Sequence, residues 1–140
     1  MSEVNVSLKL VKEFGFIGRT KSNYAIVLKA PEVVVEKPLG PSPMELVLVA
    51  LAGCTAYDII SILSKMRQRV EGLEIHVKAK QREEPPRVYT DIHLDYIIFG
   101  DVDEDKVVKA IQLSQEKYCS VSLMLKHGGV NVTTSYEVKR

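Results

Sequence analysis

Alternation of apolar and polar residues predicts strands over the first 30 residues of the chain. The stretches 14–20 and 23–29 are strand-like, and Lys21-Ser22-Asn23 between them fits a tight turn. Before them, four apolar residues alternate with polar ones in the manner of a half-buried strand: Val4, Val6, Leu8 and Leu10. The N-terminal part is therefore predicted to form a small group of paired strands.

A helix start follows a proline-rich loop. Ser42 is a good N-cap residue, Pro43 suits the first helical position, and Glu45 comes three residues after the cap. This spacing is typical of a capping box, in which the two side chains bond each other's backbone amides. A long central helix is predicted over residues 42–67.

The apolar character of this central helix has two interpretations. Residues 46–54 are apolar on every face, which predicts burial all round. The segment 44–63 also approaches the length needed to span a membrane. Because Glu45 and Asp58 lie within it, and its neighbours resemble packed strands, we expect a buried core helix and no membrane partner.

Two long alternating strands flank Pro85-Pro86. Symmetric pairing about that turn places Lys80 opposite Asp91 and His76 opposite Asp95. Opposite charges across neighbouring strands suit a solvated outer face.

A second, amphipathic helix is predicted over residues 103–118, and a last strand over 130–138. The residues expected to face the core from this helix are Val107, Val108, Ile111 and Gln115. The order of elements predicts an α+β protein with helices laid on antiparallel sheets. We expect residues 1–140 to form a single domain with three parts, residues 1–30, 42–67 and 72–140.

Composition narrows the classes of function. The chain has 140 residues, of which 46% are hydrophobic, and a net charge of +1, with no clustered basic face that would bind nucleic acid. The N-terminus lacks the apolar core of a signal peptide, so we expect a cytoplasmic protein whose thiols stay reduced. Its two cysteines are therefore reactive or inert rather than a structural disulfide.

The histidines and glycines predict no metal site and no phosphate-binding loop. His76, His93 and His127 show no metal-ligand spacing and fit solvated positions. Gly40 and the Gly128-Gly129 pair open no nucleotide-binding pattern. We expect no cofactor.

Cys54 is the strongest candidate for chemistry, although a lone buried cysteine commonly acts as a small apolar residue. Small neighbours leave space beside its sulfur, whereas Asp58, one turn further on, opposes ionisation. The helix start is about 18 Å away, so its dipole does not help. A cation from elsewhere is needed, and the candidate arginines are Arg19, Arg67, Arg69 and Arg87.

Two cysteine-containing segments carry a resemblance to a known family. Residues 40–46 (GPSPMEL) and 50–56 (ALAGCTA) resemble the central helix of the OsmC/Ohr family, named for osmotically inducible protein C and organic hydroperoxide resistance protein. Residues 118–122 (YCSVS) resemble its second-cysteine motif. The order of elements matches as well, so the resemblance covers nearly the whole chain.

The resemblance implies an OsmC-like fold, an intertwined homodimer and thiol-dependent reduction of organic hydroperoxides, and to some extent of hydrogen peroxide. It implies that Cys54 attacks the peroxide and becomes a sulfenic acid, which Cys119 then resolves to a disulfide. A dithiol or lipoyl-type reductant would reopen that disulfide. Arg19 resembles the arginine that steadies the attacking thiolate.

One position departs from the pattern of the known peroxidases, which carry a glutamate ten residues before the first cysteine. Met44 stands there, and Glu45 is one residue on, turned by about 100° on a helix. Glu45 is thus a candidate partner of Arg19 whose capping role explains it without catalysis. The motif resembles the less characterised OsmC-like branch.

Two alternatives to a peroxidase stay open. In the first, the protein binds a small thiol or acyl ligand and has no peroxidase activity. In the second, it is a structural domain whose cysteines only pack.

Overall fold

The computed structural model describes all of residues 1–140, which form two compact units, residues 1–47 and 48–140. In chain order the elements are β1 (Ser7–Val11), β2 (Gly15–Arg19), β3 (Ala25–Leu28), α1 (Pro43–Lys65), β4 (Gly72–Gln81), β5 (Tyr89–Phe99), α2 (Glu104–Leu113), a π-helical turn (Ser114–Tyr118), α3 (Ser120–His127) and β6 (Asn131–Lys139). The protein is therefore α+β, which confirms the predicted class.

The N-terminal unit contains an antiparallel sheet in the order β1-β2-β3. The predicted turn between β2 and β3 is confirmed, because the Asn23 N–H donates to the Thr20 carbonyl at 2.9 Å. The half-buried character predicted for the first strand is wrong, since the rest of the chain leaves all its alternating side chains exposed. These are Val4, Val6, Leu8 and Leu10.

α1 begins with the predicted capping box. The Ser42 N–H donates to Glu45 Oε1 at 2.9 Å, and the Glu45 N–H donates to Ser42 Oγ at 3.2 Å. The helix ends at Lys65, two residues before the predicted end, and Arg67 adopts a left-handed φ of 61°. The reciprocal bonds satisfy two amides that a helix start leaves without partners.

Burial of α1 is one-sided within the single chain. Every fourth residue along one face is fully buried, namely Leu51, Thr55, Ile59 and Leu63. The opposite face is exposed at Val49, Tyr57 and Ile60, with 63%, 77% and 44% of their surface accessible. Burial on every face was therefore the wrong expectation for one chain, because the chain supplies packing partners to one face only. By length and composition alone, α1 is also apolar enough to cross a membrane.

The second unit contains a sheet in the order β4-β5-β6. The predicted register of the β4–β5 hairpin is confirmed, with His76 opposite Asp95 and Lys80 opposite Asp91. A bulge after Lys80 shifts the pairing by one residue. The inner face of β5 supplies much of the core through Ile92, Leu94, Tyr96 and Ile98.

β6 lies beside β5 and runs parallel to it, so the prediction of purely antiparallel sheets is wrong for this strand. The reason lies in the connection between the two strands. α2, the π-helical turn and α3 all intervene, and a crossover of that length allows the chain to return in the same direction. These intervening elements carry the second cysteine.

The region after β5 differs in detail from the sequence prediction. Val107, Ile111 and Gln115 are buried as predicted, but Val108 remains 46% exposed because one residue turns the side chain by about 100°. The predicted single helix ends in a π-helical turn, and α3 follows it without having been predicted. π-helical turns are rare and frequently lie at functional sites.

Candidate functional site

The first cysteine lies in the middle of α1. Cys54 is partly exposed, between the fully buried Leu51 and Thr55. Gly53 has open space where a Cβ would stand. The helix surface is therefore open at the residue that precedes Cys54.

The second cysteine lies where the π-helical turn meets α3. Cys119 is fully buried and occupies the N-cap position of α3, with an extended backbone. Its N–H donates to the Ser114 carbonyl at 2.7 Å, an i to i−5 bond of the π-helical type. Cys119 is thus held between two helical segments, the π-helical turn before it and α3 after it.

The fold brings the two cysteines together, 65 positions apart in sequence. The side chains of Cys54 and Cys119 lie close enough for Cys54 to affect the pKa of Cys119, and both thiols are free. Burial raises the pKa of Cys119 to about 12, and the interaction with Cys54 acts in the same direction. The backbone amide of Ser122 lowers this pKa and only partly offsets the increase. At neutral pH, Cys119 is therefore a protonated thiol that lies beside Cys54.

A largely buried polar network that sequence reasoning missed joins the helix of Cys54 to the segment of Cys119. The members, from four different elements, are Thr55 and Asp58 on α1, Tyr96 on β5, Ser114 and Gln115 in the π-helical turn, and Ser122 on α3. Thr55 Oγ1 lies 2.7 Å from both Tyr96 Oη and Ser114 Oγ. Polar residues within apolar stretches were the available signal, since a buried polar group requires partners.

Arg19 and Glu45 both lie in the N-terminal unit and bond other residues. Arg19 donates from Nη1 to Asn23 Oδ1 at 3.0 Å. Glu45 is engaged by Ser42, whose backbone and hydroxyl hydrogen bonds lower the pKa of the Glu45 carboxyl. No ion pair joins Arg19 to Glu45 in this structure. The role of Arg19 stays a prediction.

The histidines lie apart from the cysteines along the sheet and at the end of α3. His76 contacts Glu74 at 3.1 Å, and His93 lies between the hydroxyls of Thr133 and Ser135 at 2.6 and 2.8 Å. His127 is the last residue of α3. No group of three or more histidine, cysteine or acidic residues is arranged to hold a metal ion.

A cavity of about 380 Å³ opens next to Asp58, four residues from Cys54. Its lining is mostly apolar, with two tyrosines, and comprises Tyr57, Asp58, Ser61, Ile62, Lys65, Met66, Leu113 and Tyr118. The volume is within the range of small-molecule sites. A ligand held there would lie against the same helix as Cys54.

Comparisons with known proteins agree with this fold. Residues 36–135 match the family model described as OsmC-like protein. Protein YhfA of Escherichia coli is 43% identical over 132 residues, which cover 94% of this chain and 95% of that protein. The chain belongs to the OsmC-like protein family.

Solved structures show the same fold. A hypothetical protein from Aquifex aeolicus VF5 superposes with a TM-score of 0.87 at 37% identity, over 99% of this chain and 98% of that one. A Legionella pneumophila structure described as an organic hydroperoxide resistance protein OsmC gives a TM-score of 0.71 at 16% identity, over 99% and 98% of the two chains. The likeness to both structures shows that this chain has the fold of the family.

Proposed function

We propose that this protein is a cysteine-based peroxidase that reduces organic hydroperoxides, and to some extent hydrogen peroxide, with electrons from a dithiol. The observation that carries the proposal is the proximity of the two free thiols, one partly exposed and the other fully buried. Cys54 is the more accessible of the two sulfurs, whereas Cys119 is buried and protonated. This asymmetry supports Cys54 as the attacking sulfur and Cys119 as the resolving one.

The proposed cycle has three steps. The Cys54 thiolate attacks one peroxide oxygen, the O–O bond breaks, and the products are a Cys54 sulfenic acid and an alcohol. The Cys119 thiol then attacks the Cys54 sulfur, forming the disulfide and releasing water. A dithiol of the lipoyl type reduces this disulfide to two thiols and is itself oxidised to a cyclic disulfide.

The first step requires the Cys54 thiolate, and a nearby cation would favour it. We propose Arg19 for this role, because its guanidinium stays charged when desolvated. Glu45 is a weaker candidate for its partner, since Glu45 is engaged in the capping box. If Arg19 acts through its charge, Arg19→Lys should retain more of the peroxide reaction than Arg19→Ala.

We also propose that the protein acts as a cytoplasmic homodimer. Oligomers are known in this family. The exposed apolar face of α1 supports the same proposal, because a continuous apolar helix face is usually covered in the native assembly. Val49, Tyr57 and Ile60 would lie in the interface.

The peroxidase proposal is tested by following hydroperoxide consumption with cumene hydroperoxide and dihydrolipoamide. The native chain is expected to turn over repeatedly, and Cys54→Ser should be inactive. In the absence of dithiol, Cys119→Ser should consume about one equivalent of hydroperoxide and accumulate a sulfenic acid that dimedone traps. Native turnover no faster than that of Cys54→Ser would exclude the proposal.

A second candidate function is the binding of a small thiol or acyl ligand without turnover. The cavity beside Asp58, of about 380 Å³ with a largely apolar lining, favours this alternative. Native mass spectrometry of the purified protein distinguishes the two. A retained ligand, together with no Cys54–Cys119 disulfide after oxidant, supports the binding protein.

A further inference from the structure

The direction of each hydrogen bond in the buried network follows from counting protons. The single hydroxyl proton of Ser114 is donated to Asp58 Oδ2 at 2.8 Å. Thr55 must therefore donate its own proton to Ser114, and Tyr96 must donate to Thr55. The result is a one-directional chain of hydroxyls from β5 through α1 to the π-helical turn, which ends on the Asp58 carboxylate.

Gln115 joins this chain to the segment that carries the second cysteine. Its amide nitrogen donates to Thr55 Oγ1 and Tyr96 Oη, both at 3.2 Å. Its amide oxygen accepts from Ser122 Oγ at 2.6 Å. No buried side-chain polar atom of the chain lacks a hydrogen-bond partner. A fully satisfied buried network of this kind holds its members in one arrangement.

The bond between Gln115 and Ser122 encloses Cys119. Gln115 lies four residues before this cysteine and Ser122 three residues after it, so the hydrogen bond between their side chains closes a loop of backbone that contains Cys119. A second hydrogen bond holds the same segment, because Lys126 Nζ donates to the backbone carbonyl of Gln115 at 2.7 Å. On the other side, Thr55 follows Cys54 directly in α1. The network therefore links the backbone segments of the two cysteines through side chains that take no part in the reaction of either sulfur.

We propose that Gln115 and Ser122 are positioning residues that hold Cys119 against Cys54 and so set the rate of disulfide closure, with little effect on the first reaction of Cys54. Closure is intramolecular, and a misplacement of about 1 Å can cost about a hundredfold in rate. The first reaction depends on the Cys54 thiolate and on access to it, and neither Gln115 nor Ser122 bonds Cys54 through its side chain. The inference deepens the proposed function, because it concerns the resolving step of the same two thiols.

An aromatic disulfide separates the two steps without any hydroperoxide. The Cys54 thiolate displaces one thionitrobenzoate from dithiobis(nitrobenzoate) and forms a mixed disulfide. Cys119 then loses its proton to solvent, attacks the Cys54 sulfur of that mixed disulfide and releases the second thionitrobenzoate. Rapid mixing with absorbance detection measures the two releases as separate phases, and Cys119→Ser, which should give only one, calibrates the assay.

The decisive variant is Ser122→Ala, which keeps the backbone amide and removes only the hydroxyl bond to Gln115. We expect its first phase to match that of the native chain and its second phase to be slower by about tenfold. Ser120→Ala is the matched control, because Ser120 is exposed, lies in the same helix and bonds no neighbour through its side chain. It should match the native chain in both phases.

Three results would overturn the proposal. The second phase of Ser122→Ala could be as fast as that of the native chain, both phases of this variant could be slowed equally, or the native chain could give no second release. Should Ser122→Ala fail to fold by circular dichroism, Tyr96→Phe removes one of the two acceptors of the Gln115 amide and carries the same expectation, with a smaller effect. If the protein shows both phases but reduces no hydroperoxide, the peroxidase proposal is contradicted and this inference is not affected.

Discussion

The hydroxyls of Thr55 and Tyr96 lie 2.7 Å apart, although 41 positions separate the two residues in sequence and neither is accessible to solvent. This bond ties α1 to the central strand of the second sheet. It also connects to Ser114 and Gln115, so one threonine hydroxyl serves three elements. Buried polar residues thus hold together the elements that carry the two cysteines.

Removal of either hydroxyl should destabilise the fold. Tyr96→Phe and Thr55→Val each leave buried polar partners unpaired, so we expect each to lower the free energy of unfolding by about 1–3 kcal/mol. The double variant should lose less than the sum, because each single change already breaks the shared bond. Urea unfolding of the four proteins measures the coupling. Strict additivity would show that the two hydroxyls do not cooperate.

The protein should lose stability as the solution becomes alkaline. Burial raises the pKa of Cys119 from 9.0 to about 12 and that of Tyr96 from 10.0 to about 12. Between pH 9 and 12 the unfolded chain therefore releases protons that the folded chain retains, so the free energy of unfolding falls as pH rises. Chemical unfolding at several pH values measures this slope. A Cys119→Ala, Tyr96→Phe variant should show a shallower one, and an unchanged slope would contradict the assignment.

The capping box at the start of α1 should contribute to stability independently of the cysteines. Ser42→Ala should lower the free energy of unfolding by about 1 kcal/mol at neutral pH. The backbone amide of Ser42, which Ser42→Ala keeps, lowers the pKa of Glu45 most, and the Ser42 hydroxyl lowers it further. The part of the stabilisation due to the hydroxyl and the carboxylate is therefore present above pH 4.5 and is lost as the pH falls. The difference between Ser42→Ala and the native chain should therefore shrink in acid. Ser64→Ala, an exposed change near the end of α1, is the control and should show no such dependence.

A charge on the exposed face of α1 should dissociate the proposed homodimer. Tyr57 is 77% accessible in the single chain, and Tyr57→Glu would place a carboxylate in an apolar interface. Light scattering should give about twice 15.7 kDa for the native chain and a lower mass for this variant. Val88→Lys, at another exposed apolar position, should stay dimeric. A native chain that is monomeric at micromolar concentration would contradict the homodimer.

Features set by near neighbours in sequence were predictable from the residues. Ser42 and Glu45 form their capping box because three positions on a helix bring each side chain to the other's amide. The pairing of His76 with Asp95 follows from alternation and a short connection, which together leave one register that buries the apolar face.

What only the tertiary structure decided depends on residues far apart in the chain. The burial of one face of α1, the parallel pairing of β6 and the π-helical turn all result from packing across the second unit, and sequence periodicity does not contain that information. The sequence alone marked Cys54 and, through a family resemblance, Cys119. The proximity of their thiols and the hydrogen bond between Gln115 and Ser122 on either side of Cys119 are consequences of folding, because burial leaves each polar group no partner but another polar group of the chain.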